Sequence, residues 1–158
     1  MNDQDIPIPT SIPPPIIQPP ALWNPNAAAN WSLLFSPAFG AYLHARNAET
    51  LGRQDEAKIN KVWFYSYIAY LFVGMVACFL PIIPDWVTGP MISFVLLVIW
   101  YSHVGRNQIL YVKKTWNDGY VRKPWKKPLL IAFGCVFGLI GLLVIIGIIL
   151  DATGIVVV

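Results

Sequence analysis

Charge is what this 158-residue chain has least of. Only 12% of its residues are Asp, Glu, Lys or Arg, whereas 56% are hydrophobic. That is about half the charge fraction of an ordinary soluble domain. A soluble chain of this composition would expose large apolar patches and aggregate, so lipid is the expected solvent. Basic residues are missing altogether from positions 1–45. A secretory signal peptide needs a positive start and an unbroken apolar run. The first 25 residues instead carry Asp3 and Asp5 and are interrupted by eight prolines. The N-terminus is therefore expected to be retained, with the first spanning helix acting as the insertion signal.

Cysteine is equally scarce. Cys78 and Cys135 fall in separate apolar runs, expected near opposite faces of a bilayer and too far apart to bridge. They read as small packing residues. No G-x-S-x-G, H-E-x-x-H, glycine-rich phosphate loop or cysteine cluster occurs, so no catalytic, cofactor-binding or metal-ligating residue is assigned. His44 and His103 are the only histidines. Without suitably spaced thiols or carboxylates they read as interfacial histidines, not a metal site. No ionisable residue lies in the middle of an apolar run. Asp85 and Asp151 fall at the outer edge and His103 near the inner end, which argues against a proton-coupled carrier made by this chain alone. No period of 20–50 residues repeats, so an inverted-repeat transporter finds no support. A pore assembled from several copies stays open.

What is present is hydrophobic length. Residues 62–84 hold eleven Leu, Ile, Val or Phe and no charge; residues 86–105 are uncharged apart from His103; residues 128–150 hold sixteen such residues in 23. At 1.5 Å per residue, 23 helical residues cover about 34 Å, enough for a hydrocarbon core of about 30 Å. The expected class is an all-α membrane protein with three transmembrane helices plus an N-terminal interfacial or re-entrant helix, four spans being the alternative. Ser36-Pro37 predicts a helix start, with Ser at the N-cap and Pro at the first position, and Gly52 predicts its end.

All eleven Lys and Arg sit at positions 46–61 and 106–127. The positive-inside rule places both segments in the cytoplasm. The expected organisation is then a Pro-rich disordered cytoplasmic tail (1–25), an interfacial or re-entrant helical segment with a basic loop (26–61), and a transmembrane hairpin (62–105). A basic cytoplasmic loop (106–127), a third transmembrane helix (128–150) and a short external tail (151–158) follow. Trp63, Trp86, Trp116 and Trp125 fall at the expected interfaces. Within the basic loop, Lys113, Lys114, Arg122, Lys123, Lys126 and Lys127 are the candidate lipid-headgroup and topology residues. In the third span, Gly134, Gly138 and Gly141 share one helix face and are the candidate helix-packing residues. Their partner is either this chain's own first hairpin or another chain.

The stretch Trp23-Asn-Pro-Asn-Ala-Ala-Ala-Asn-Trp-Ser-Leu-Leu-Phe-Ser-Pro-Ala-Phe-Gly-Ala-Tyr-Leu-His-Ala-Arg-Asn47, with Leu51-Gly52 behind it, resembles the N-terminal signature of a group of small uncharacterised bacterial membrane proteins. That group often has a second tryptophan after the aligned asparagine, where Ala48 stands here. The resemblance implies a multi-pass protein of a bacterial inner membrane and supplies no reaction. Some small proteins of this look are immunity partners of membrane-attacking toxins. The expected function is therefore non-enzymatic interaction, as such an immunity protein. The alternatives are an accessory subunit of a larger membrane complex and, third, an oligomeric channel. The expected partners are the lipid bilayer and a second protein or copy, with no nucleic acid and no cofactor.

Overall fold

The computed structural model describes residues 19–77, 89–117 and 119–153. Outside them fall most of the Pro-rich tail, Cys78, the 84–88 turn with Asp85 and Trp86, Asp118, and the last five residues. The described chain is all-α apart from one minimal strand pair.

The chain enters through β1 (Ala21–Leu22) and turns into α1 (Pro25–Phe35). The Asn24 side chain caps α1, accepting from the N–H groups of Asn26 and Ala27 at 3.0 and 3.2 Å. Pro25 takes the first helical position, where its missing donor costs nothing. Residues 21–25, assigned to the disordered tail from sequence, are thus ordered. The reason is pairing: Leu22 is fully buried with Val112 and Tyr120, and β1 bonds in parallel to β2 (Val121–Arg122).

α2 (Pro37–Thr50) follows after a single residue. Ser36 is not a side-chain cap; its hydroxyl makes no capping bond, and its backbone lies at φ 136°, ψ 164°. Pro37 excludes helical geometry from the residue before it and offers no N–H of its own, so α1 cannot run on into α2. The end of α2 follows the expectation closely. Gly52 sits at φ 72°, and the N–H groups of Arg53 and Gly52 bond back to the carbonyls of Ala48 and Glu49 in a Schellman arrangement.

α3 (Gln54–Ala77) runs back along α2. After the undescribed turn, α4 (Pro90–Trp100) passes through a π turn (Tyr101–Gly105) into α5 (Arg106–Trp116). These three pieces are one continuous helical rod. Asn117 ends it in the left-handed region at φ 38°. α6 (Lys126–Ala152) is the longest element.

Among the described residues, one helix, α6, is by itself long and apolar enough to cross a membrane, fewer than the three expected. The two other expected spans fall differently. α3 starts at Gln54, so its first two turns carry Asp55, Glu56, Lys58 and Lys61, and the apolar end of that run lies beyond Ala77. The second run reads as an eleven-residue α-helix that the π turn separates from a basic one.

α2 is the centre of the fold, not an element lying on its surface. Ala38, Ala41, Ala45 and Ala48 recur at helical spacing and are all buried, as are Gly40, His44 and Asn47. Small side chains let α1, α3 and α4 approach its backbone closely, which builds a core from few large residues. Trp100 fills what remains; it is fully buried, packed with Ala29, Ala41, Leu97 and Val104.

Candidate functional site

The short helices α1 and α2 are antiparallel. His44 lies on Pro25 near their open end, and Gly40 lies against Ser32 nearer the closed end. They make a helical hairpin whose tip is Phe35-Ser36-Pro37. The tip borders the same cavity as Tyr67, Ser93 and Leu97. Tyr67 is roughly 20 Å along α3 from its first residue at 1.5 Å per residue, and Pro90, the first residue of α4, lines the same cavity, so the tip lies part-way along α3 and beside the start of α4.

At the open end, three polar side chains bond to backbone groups of other elements and a fourth bonds to an indole. The Asn47 amide accepts from the Trp23 N–H at 3.0 Å and donates to the Trp23 carbonyl at 2.7 Å. The Gln108 amide donates to the His44 carbonyl at 2.9 Å. The Trp100 indole N–H donates to the Asn60 side-chain carbonyl at 3.1 Å. His44 Nε2 donates to the Pro25 carbonyl at 3.0 Å; a carbonyl can only accept, so the proton is on Nε2 and Nδ1 is bare. Burial lowers the His44 pKa to about 4, partly opposed by the Pro25 bond, so the ring is neutral at physiological pH. It stands edge-on to Trp100 with centroids 5.1 Å apart. His44 is therefore a core residue, not an interfacial one. His103 is exposed in the π turn, and no group of three potential metal ligands forms among the described residues.

Around this base the charged residues pair. Lys61 and Arg46 share Glu49 at 2.6 and 2.9 Å, and Lys61 in particular holds the Glu49 carboxyl below its usual range. Arg53 pairs with Glu56 at 3.1 Å and stacks over the Tyr111 ring at 4.1 Å. Burial pushes the Glu56 carboxyl up, opposed by Arg53 and by the Gln108 amide.

The candidate headgroup residues divide. Lys113, Lys114, Lys126 and Lys127 are exposed, as is the Arg122 residue on β2. Lys123 is half-buried, with Nζ 4.5 Å from the Trp23 ring centroid and 3.4 Å from Thr50 Oγ1. Burial, and then the nearby Arg46, lowers its pKa. It fastens β2 to α2 rather than standing free for lipid. Gly134, Gly138 and Gly141 have nothing within 4 Å of the position a Cβ would take, so no described part of this chain packs on them. Cys135 is a free, exposed thiol on α6, not a buried packing residue.

α6 leans on the rest of the fold mainly through Phe133, whose ring meets Phe35 edge-on at 4.9 Å and 89°. Of its 27 residues only Ala132 is buried. Where it stands off from α2 and α3, a cavity of about 470 Å³ opens, walled almost wholly by apolar and aromatic side chains. A second cavity, of about 400 Å³, lies on the other side of the hairpin tip and is edged by the hydroxyl groups of Ser32, Ser36, Ser93 and Tyr67.

The residues that organise the base, Asn47, Asn60, Trp100 and Gln108, carried no signal in the sequence. Each is a single polar or aromatic residue whose partner is 24 to 64 positions away. No protein-family model, curated protein or solved structure matches this chain.

Proposed function

We propose that this chain is a multi-pass protein of a bacterial inner membrane that acts by associating with another membrane protein. Its most specific form is the neutralisation of a membrane-attacking toxin. The observation that carries the reading is where apolar surface is left uncovered. Leu130 is 74% exposed, Phe137 67%, Met91 74% and Phe72 62%, on three different helices. A soluble monomer seldom leaves more than a few hundred Å² of contiguous apolar surface in water. Lipid and a partner helix are the environments that suit such a surface.

Lengths support the same reading. α3 measures about 36 Å, and the α4–π–α5 rod and α6 about 40 Å each, at 1.5 Å per residue. All three are longer than a hydrocarbon core of about 30 Å, but among the described helices only α6 is also apolar enough along its length, the first turns of α3 being charged and α5 basic. On this reading the basic ends of the rods lie in the cytoplasm with the β1–β2 base, and the α1–α2 hairpin is re-entrant, rising from that face and returning to it. The polar side chains of the base serve the packing of this chain's own elements. Asn47, Gln108 and His44 each bind a backbone carbonyl or N–H of a neighbouring element, which is a way of holding helices together.

The test begins with extraction. The full chain should leave the membrane fraction only with detergent, and a tag placed in 106–127 should be protected in intact cells. Purification in a mild detergent should then bring down a second membrane protein in fixed ratio. Deletion should sensitise the cell to a toxin encoded beside this gene. A soluble chain would end the reading altogether. A stoichiometric respiratory or transport complex in the pull-down would replace the immunity version with a subunit role.

A further inference from the structure

The apolar cavity between α2, α3 and α6 has a charged mouth. Phe39 and Tyr42 line it from α2, and Arg46 continues that face one turn further toward the cytoplasmic end. Phe64 and Ile68 line it from α3, and Lys61 lies one turn below Phe64 on the same face. Ile131 and Cys135 line it from α6, and Lys127 precedes them at the same four-residue spacing. Arg46, Lys61 and Lys127 are all exposed. The one carboxylate among them, Glu49, is shared by Arg46 and Lys61. Three cations against one anion leave the mouth positive.

We propose that this cavity is a binding site for one anionic phospholipid of the cytoplasmic leaflet. An acyl chain lies along the aromatic wall and the phosphate headgroup sits among Arg46, Lys61 and Lys127. The proposal rests on the membrane reading above. Within that reading the cavity lies at the depth where acyl chains are the solvent, and its volume of about 470 Å³ falls in the range of sites for small apolar ligands. Cationic side chains just above an apolar groove select a headgroup that carries net negative charge, while the groove alone would accept any acyl chain. A zwitterionic lipid fits the groove equally well and meets the mouth without net attraction.

The experiment is native mass spectrometry of the full chain in mild detergent, titrated with dioleoyl phosphatidylglycerol and, separately, dioleoyl phosphatidylcholine. One phosphatidylglycerol should be retained at collision energies that strip phosphatidylcholine. The double variant Arg46→Gln/Lys127→Gln should weaken phosphatidylglycerol retention by roughly tenfold or more, as expected for two lost headgroup cations. Arg106→Gln, which removes an exposed cation on α5 outside this cavity, should leave it unchanged. Cys135→Trp, which fills the groove, should weaken both lipids. A second readout needs no variant: alkylation of Cys135, mapped by peptide mass, should be slowed by phosphatidylglycerol more than by phosphatidylcholine. Equal retention of the two lipids, or equal loss in both charge variants, overturns the site while leaving a detergent-extracted membrane protein intact. A chain recovered without detergent overturns the membrane reading first, and the site with it.

Discussion

The side-chain amide of Asn47 stands in for a strand: it accepts from the N–H of Trp23 at 3.0 Å and donates to the carbonyl of Trp23 at 2.7 Å. Both backbone groups of one residue are satisfied by a helix 24 positions away. β1 is thereby held between α2 on one side and β2 on the other, where Val121 N–H reaches Pro20 O at 3.2 Å and Lys123 N–H reaches Leu22 O at 2.8 Å.

Asn47→Ala should detach that edge. Two part-buried backbone groups lose their partners, at a cost of about 1–3 kcal/mol each when left unsatisfied. Limited proteolysis in detergent should then cut near Trp23 well before the helices. Asn47→Asp keeps the acceptor but turns the donor into a second oxygen facing the Trp23 carbonyl, and should be no better than alanine.

Ser36 occupies a backbone region, φ 136° and ψ 164°, that is nearly confined to glycine and costs of the order of 1–3 kcal/mol for other residues. Its side chain makes no capping bond that would be lost. Ser36→Gly should therefore stabilise the protein by about 1 kcal/mol after the extra chain entropy of glycine is deducted. The measurement is the midpoint of denaturant unfolding in micelles, and a lowered midpoint would refute it.

Gly40 is where three helices meet. A Cβ there would overlap Ser32 Oγ and come within 2.6 Å of Trp100 Cη2. Neither neighbour has room to give, since Ser32 and Trp100 are both buried. Gly40→Ala should lower stability by about 1–3 kcal/mol, the usual range for overpacking. Adding Ser32→Gly should recover part of that loss and no more, because the tryptophan contact persists. A neutral Gly40→Ala would mean that α1, α2 and α4 are not packed this closely.

His44 makes stability depend on pH with a definite sign. Its pKa falls from 6.5 in the unfolded chain to about 4 in the fold, chiefly through burial. The unfolded state therefore binds the extra proton first, and stability is full above pH 6.5 and declines as pH falls toward 4. At 1.36 kcal/mol per unit the loss is at most about 3 kcal/mol. His44→Gln should flatten unfolding midpoints across that window. An unchanged slope would place the pH dependence elsewhere.

The two ends of α2 show how far local signals reach. Proline at the first position and glycine in the left-handed position act through their own φ angles, so Pro37 and Gly52 announced the helix limits. Ser36 announced a cap that does not form, because its backbone is set by the corner between two helices. The helical segment expected over 26–61 includes no separate start for α1, although Asn24-Pro25 is the same kind of start signal as Ser36-Pro37. Asn47, Asn60 and Gln108 could not be read at all, since an isolated amide is equally at home in solvent until its partner is known.

What the sequence determined alone is the solvent-like character of its segments: where charge collects, where it is missing, and where the backbone must turn. These depend on each residue and its immediate neighbours. Which helices lie side by side was decided only in three dimensions. Small faces on α2, Trp100 and a few amides choose among many apolar surfaces of nearly equal affinity, and shape and hydrogen-bond direction exist only once the helices have met. The same is true of the cavity behind α6, which is no single helix's property but the space three of them leave open.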